Sequence, residues 1–319
     1  MSWKTIDNPL FVIERNDMFA KFHFGFATKS PPAELFHYTS SDSFLAIINS
    51  QCMLATERSY LNDPQEFGWG FDALRALLSS ERSKYSADFL EQSQTALSEK
   101  AQDDLRLFVL SLSANPDLLS QWRAYAAEGT GFAIGLDGAA LRDRAGFGET
   151  VLGDIDLDNL PNDFVFCYHL LPVVYERSQQ EEVLDGFLAA AHAFWMGIED
   201  QRDHTLQQVF RMLFQHRAKE LLISLKNPGY REECEWRIVA TVHKNSKKIQ
   251  YRNGRFGITP YVRLNLSRRA DLPQFSLPIT RLWAGPNSPA KRTPRGLEML
   301  CESKGLQVPL AFSEIEYRT

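Results

Sequence analysis

The chain has 319 residues, 44% of them hydrophobic and 24% charged, which suits one large domain or a domain with an insertion. A net charge of -5 and a pI near 5.9 give no overall electrostatic footprint for duplex nucleic acid, although a local basic patch would still hold a strand. Cys52, Cys167, Cys234 and Cys301 stand singly, so neither zinc nor a disulfide framework is expected, and a reducing cytoplasm is the natural compartment.

Residues 1–16 place Lys4, Asp7, Glu14 and Arg15 among apolar residues, which breaks a signal-peptide core, and no apolar run reaches membrane-spanning length. Residues 1–32 end at Ser30-Pro31-Pro32 and read as an arm, either packed as an accessory helix or facing a regulatory or assembly partner. Residues 33–319 read as a single domain. Leu35-Phe36-His37-Tyr38-Thr39 predicts a strand that carries polar side chains into a buried run, and Ser40-Ser41-Asp42 supplies N-cap chemistry for a helix through Phe44 and Ile48. Residues 52–56 predict a second strand, followed by Tyr60 and the turn Asn62-Asp63-Pro64, with Glu66 beyond it.

Helical spacing of Phe71, Leu74, Leu77 and Leu78, with polar residues between, predicts functionally silent amphipathic helix over 71–100. Residues 107–113 predict a buried strand carrying Ser111 and Ser113. A helical turn with Gln121-Trp122-Arg123-Ala124-Tyr125 follows, and then a strand over 131–137. Gly129 and Gly131 are too close together, and precede a strand, so a Rossmann site is discarded. The acidic stretch 148–163 lacks the glycine and glutamate of a calcium loop and reads as solvated. A strand is expected at 173–176 and a helical insertion at about 179–225, in which His192, His204 and His216 lack metal spacing and read as surface or cap histidines.

After the turn at 226–230, residues 233–242 predict a strand on which Glu233, Glu235 and Arg237 share one face and Cys234, Trp236, Ile238 and Ala240 the other. On this motif alone, an edge strand with Glu235 and Arg237 as a surface ion pair is the simpler reading. Two nearby carboxylates tuned by a cation are also what chemistry at a sugar carbon uses. Strands at 261–266 and 279–285 and a helix over 294–306 complete a mixed α+β chain without regular βαβ alternation.

The order of motifs is informative: His37-Tyr38-Thr39, then Asn62-Asp63-Pro64-Gln65-Glu66-Phe67, Ser111-Leu112-Ser113 before Gln121-Trp122-Arg123, Gly131 to Asp137, and Glu233-Cys234-Glu235-Trp236-Arg237. Over about residues 35–285 it resembles a bacterial family catalogued only as a domain of unknown function. More distantly, the order resembles the ADP-ribosyltransferase superfamily. That resemblance implies a mainly antiparallel split-sheet core around NAD as substrate, with no metal. It also implies a protein or nucleic-acid acceptor and a toxin-like role in bacterial conflict or phage defence. His37 and Thr39 would then bond the nicotinamide amide or its ribose, and Tyr38 or Tyr60 would stack on the ring. Glu235 would stabilise an oxocarbenium-like transition state, with Glu233 steering the acceptor. Arg123 and Arg237 would grip the pyrophosphate, and Ser111, Ser113 and Tyr125 would complete the nucleotide contacts. Each carries a simpler reading: ion pairs for the arginines, backbone bonding for the serines, and turn-forming for Asn62 and Asp63 at the rim. Trp122 and Trp236 are core. Two other functions remain open from sequence. One is a nucleotide-sensing module in which Glu235 is structural. The other is a glycosidic hydrolase, which neighbouring carboxylates on one strand face serve poorly.

Overall fold

A computed structural model describes residues 30–61, 66–80, 84–98, 105–145, 165–198, 200–254, 257–264, 266 and 277–317. The body of the N-terminal arm, the Asn62-Asp63-Pro64-Gln65 turn and the acidic stretch 148–163 lie outside them. The architecture is α+β. Among the described residues ten strands form one sheet: β1 (Glu34–Thr39), β2 (Met53–Glu57), β3 (Leu105–Ser113), β4 (Phe132–Asp137), β5 (Val165–Pro172), β6 (Glu235–His243), β7 (Gln250–Gly254), β8 (Gly257–Leu264), β9 (Ile279–Ala284) and β10 (Leu310–Phe312). The main path runs β10-β9-β4-β1-β3-β2-β8-β7, with β6 on the other side of β3 and β5 beyond β6. The pairings are antiparallel except β10 with β9.

Helix α1 (Ser41–Ser50) begins where the sequence predicts, with the Ser43 backbone N–H donating to the Ser40 hydroxyl, and it buries Phe44, Ile47 and Ile48. The helical stretch expected over 71–100 falls into two helices, α2 (Glu66–Ser80) and α3 (Ala87–Ser98), the second capped by Ser86 accepting from the Phe89 N–H. Short helices α4 (Leu119–Tyr125) and α5 (Gly138–Ala145) flank β4. Helices α6 (Arg177–Met196) and α7 (His204–Leu222) pack with α2 and α3 around Phe89, Phe187, Trp195, Phe210 and Phe214. Helix α8 (Arg295–Ser303) closes the chain's last crossover before Gly305, whose φ of +64° suits a residue without Cβ. No helix among the described residues is long and apolar enough to cross a membrane.

Three expectations about the central strands are corrected. The strand predicted at 173–176 lies upstream as β5 and ends at Pro172, leaving Val174 one bridge to Leu225. The strand predicted from Glu233 starts at Glu235, because residues Pro228–Glu233 form 3-10 turns closed by Cys234 in the left-handed region at φ +44°. Glu233 therefore does not share a strand face with Glu235. Nor is β6 an edge. It pairs β3 from Leu105↔His243 to Ser113↔Glu235 on one side and β5 on the other, and it is buried from Glu235 through Val242.

The two faces of β6 meet different layers. Trp236, Ile238, Ala240 and Val242 join the main core beside Phe44 and Phe108, as their alternation predicts. On the other face Val239 packs with Val109, Leu171 and Ile223, while Arg237 and Thr241 reach the end of α7 by donating to the Ile223 carbonyl and the Glu220 carboxylate. Arg237 and Thr241 thus lie under a helix rather than in water.

Candidate functional site

The site begins with a split in the sheet. Strand β1 pairs β3 only at Phe36↔Ser113, and β2 pairs it at Thr56↔Val109 and Glu57↔Phe108, so two strands diverge from one side of β3. Between those pairings the ladder on that side is interrupted, and a backbone carbonyl there needs another partner. The His37 ring supplies it: Nδ1 lies 3.1 Å from the Ser111 carbonyl oxygen. A carbonyl only accepts, so Nδ1 carries the hydrogen and the neutral ring presents Nε2 as an acceptor. Burial lowers the ring's proton affinity, the Ser111 bond restores part of it, and the charge of Arg252 lowers it again, with a net downward shift that keeps His37 neutral at pH 7.

A cleft of about 60 Å³ opens beside this ring. Its walls include His37, Ser111, Ser113, Gln121, Tyr125, Glu233 and Glu235, so the histidine of the first strand and the glutamate of the sixth border one hollow. Ser111 lines the same hollow, its carbonyl held by His37.

Glu235 is 6% exposed and sits in a charge cluster. Arg237 grips it with Nε to Oε1 at 2.8 Å and Nη2 to Oε2 at 2.8 Å, and Lys226 Nζ donates to Oε2 at 3.0 Å. The same ammonium donates to Glu233 Oε2 at 2.7 Å and lies 4.9 Å from the Tyr230 ring centroid. The Glu235 backbone N–H donates to the Tyr175 hydroxyl at 2.9 Å. Two cations and two anions cancel formally, which is what makes such burial tolerable. Burial alone would push Glu235 up, but Arg237, Lys226 and the Ser111 hydroxyl together hold it down at about 2. Glu233 goes the other way, because its desolvation outweighs the pull of Lys226. Two carboxylates driven apart in this way can divide the work, one as a permanent charge and the other as a group that exchanges a proton.

The remaining predicted residues are scattered around this centre. Tyr38 borders the cleft with its ring edge-on to Trp122 at 4.7 Å, and its hydroxyl donates to the Asn115 carbonyl and accepts from the Leu118 N–H. Ser113 donates to the Glu233 carbonyl and accepts from the Asn115 N–H, so its hydroxyl serves backbone. Arg237 is buried beneath Glu235 and its fork is closed on that carboxylate, not open to the cleft. The surface ion pair considered for Glu235 and Arg237 is therefore a buried one. Thr39 is buried opposite Phe132 at the end of β1, and Tyr60 ends the 3-10 turn Arg58–Tyr60, half-buried; neither borders the cleft. Arg123 is exposed, 5.9 Å from the Tyr317 ring centroid, and is also outside the cleft.

Sequence reasoning missed Lys226, read there as part of a turn, and Gln121 and Arg252. It also missed a second buried polar group under α7. There Glu220, fully buried, accepts from Arg217 and Thr241 and lies 3.2 Å from His216 and 3.7 Å from His169. His216 is thus not a surface histidine. Burial holds His169 down at about 4, against the opposing pull of Glu220.

Neither the curated proteins nor the solved structures contain a match to this chain. Residues 121–238, which span Gln121, Tyr125, Lys226 and the Glu233 to Arg237 cluster, match the model of a family described as a protein of unknown function, DUF2971.

Proposed function

We propose that the cleft receives the nicotinamide-ribose end of NAD and that the protein transfers ADP-ribose to a protein or nucleic-acid acceptor. The observation that carries this reading is the meeting of His37 and Glu235 around one hollow at the split in β3, with Ser111 in its wall. In this reading the bond from ribose C1′ to the pyridinium nitrogen breaks and its electron pair leaves with nicotinamide. The acceptor's nucleophile bonds to C1′, and its proton passes to Glu233, the carboxylate with raised proton affinity. Glu235, held ionised, faces the positive charge that builds on the ribose. His37 Nε2 accepts from the carboxamide or a ribose hydroxyl. Ligand pockets usually enclose about 300 Å³ or more, so a cleft of about 60 Å³ holds only the small end of the dinucleotide and leaves the adenosine half over the open mouth near Tyr125.

A second reading, a non-catalytic nucleotide sensor, is favoured by that small volume and by the engagement of both Glu235 oxygens with cations. The two separate in one assay. Wild-type protein incubated with NAD and candidate acceptors should release nicotinamide, and Glu235→Gln, assayed below its lowered Tm, should release none. NAD binding without release in wild type would replace the first reading with the second.

A further inference from the structure

The segment from Trp236 to Ala270 contains nine lysines and arginines and no aspartate or glutamate, in a chain whose net charge is -5. Much of that charge falls on one edge of the molecule. Among the described residues strand β7 is the last strand of the sheet path and pairs only with β8, so it is an edge strand. Lys244, Lys247 and Lys248 are exposed in the turn that leads into it, and Arg252 and Arg263 are exposed on the ribbon itself. None of the ion pairs among the described residues involves Lys247, Lys248, Arg252 or Arg263.

The ribbon also carries exposed apolar surface. Tyr251 is 66% exposed and Ile258 is 73% exposed. The register pairs Gln250 with Tyr261 and Arg252 with Thr259; continued by two residues it brings Lys248 beside Arg263. Arg252 is fixed in place, its guanidinium 5.6 Å from the Tyr261 ring centroid and its Nη2 donating to Thr56 Oγ1 at 2.9 Å. Protecting an edge strand from aggregation needs only a few charges of either sign. It does not call for charges of one sign on one face of the edge, where the register places Lys248, Arg252 and Arg263, with Tyr251 and Ile258 exposed on the opposite face. Cations tracking a backbone along an edge, with an aromatic face across that edge, suit a single strand of nucleic acid draped over it.

We propose that the β7–β8 ribbon and the turn before it are a docking surface for single-stranded nucleic acid draped over the outer edge, with phosphates against Lys247, Lys248, Arg252 and Arg263 and a base turned across the edge onto Tyr251. This does not depend on the NAD reading, because binding is measured without NAD. The probes are labelled 20-nucleotide RNA and DNA single strands of mixed sequence, the matching duplex, and vesicles of mixed neutral and anionic lipid. Each is titrated with the full chain by fluorescence anisotropy or co-sedimentation. Four phosphate contacts give a salt slope of about -3 for a single strand, so affinity should fall about 50-fold between 50 and 200 mM salt. Lys247→Ala/Lys248→Ala/Arg263→Ala should bind at least tenfold more weakly with a slope near -1, and Tyr251→Ala at least fivefold more weakly. The control variant Arg177→Ala/Arg202→Ala/Lys304→Ala should bind as wild type does. Preference for RNA or for DNA identifies the strand and supports the proposal either way. Failure to bind either at 50 mM salt, a triple variant that binds like wild type, preference for duplex, or capture by anionic vesicles alone would each overturn it.

Discussion

Replacing Lys226 by methionine tests the charge cluster that defines the candidate site. Its Nζ is 2.7 Å from one carboxylate and 3.0 Å from the other, with its side chain 7% exposed. At an effective dielectric of about 20 each attraction is worth about 6 kcal/mol, and the desolvation of the ammonium offsets a large part of the two. Removing one partner of a buried ion pair costs about 3–5 kcal/mol net, because the other charge stays behind. Glu235 keeps Arg237, so the stranded charge is Glu233. A transition entropy of about 2.1 cal/mol/K per residue gives about 0.7 kcal/mol/K for 319 residues, so Tm should fall by about 4–7 °C at pH 7. The loss should also depend on pH. The folded-state proton affinity of Glu233 is already raised by burial, and it rises further without the ammonium. The folded variant then binds more protons than the unfolded chain, so its stability increases as pH falls. Scanning calorimetry from pH 8 to pH 5 should show the deficit shrinking, and adding Glu233→Gln should remove most of it. A deficit below 1 °C, or one unchanged between pH 8 and pH 5, would refute the cluster as described.

Glu235→Gln removes a carboxylate whose folded-state value of about 2 lies below its ordinary 4.5, and so removes about 3 kcal/mol of stability at pH 7. Urea midpoints should show the gap from wild type closing as pH falls from 4.5 toward 2, where the wild-type advantage is lost. His169 is depressed from 6.5 to about 4, so the folded ring refuses a proton that the unfolded chain accepts, and stability falls with pH across that window. His169→Gln should flatten this slope in the same urea series. Tyr38→Phe strips a donor and an acceptor from two backbone partners and should cost about 1–3 kcal/mol by thermal unfolding, a loss that ring stacking on a ligand would not produce. Gly131→Ala should be overpacked, because a Cβ there meets the Thr39 carbonyl oxygen where β1 and β4 pair, and should lower Tm by the equivalent of about 1–3 kcal/mol or more.

What could be read in the sequence followed from local chemistry. The cap at Ser40 is local, and the core face of β6 follows from the alternation of Trp236, Ile238, Ala240 and Val242. Where neighbours decide, the reading failed. Strand β5 is buried on both sides from His169 to Pro172, so no alternation marks it, and the expected strand was assigned to the apolar pair after the proline instead. The polar residues between α2 and α3 suit a helix's wet face as well as a break. Glu233 left the strand through a left-handed Cys234, a conformation that no pattern of apolar residues reveals. Lys226 is the clearest case. It follows the run Leu221-Leu222-Ile223 and precedes Asn227-Pro228, so the sequence announces a turn, but only the folded chain shows the lysine turning inward between two glutamates. His37 was singled out because it interrupts a buried run, and the split in β3 explains the interruption by the Ser111 carbonyl that it satisfies.

The most direct measurement is the ring-nitrogen spectrum of His37 in uniformly ¹⁵N-labelled protein, assigned by His37→Gln and followed through a titration with NAD at pH 7. The expected result is a neutral ring with hydrogen on Nδ1 and a bare Nε2 that moves as NAD is added, with the movement lost in Glu235→Gln. An imidazolium, the opposite tautomer, or a spectrum unmoved by saturating NAD would contradict a nucleotide cleft between His37 and Glu235.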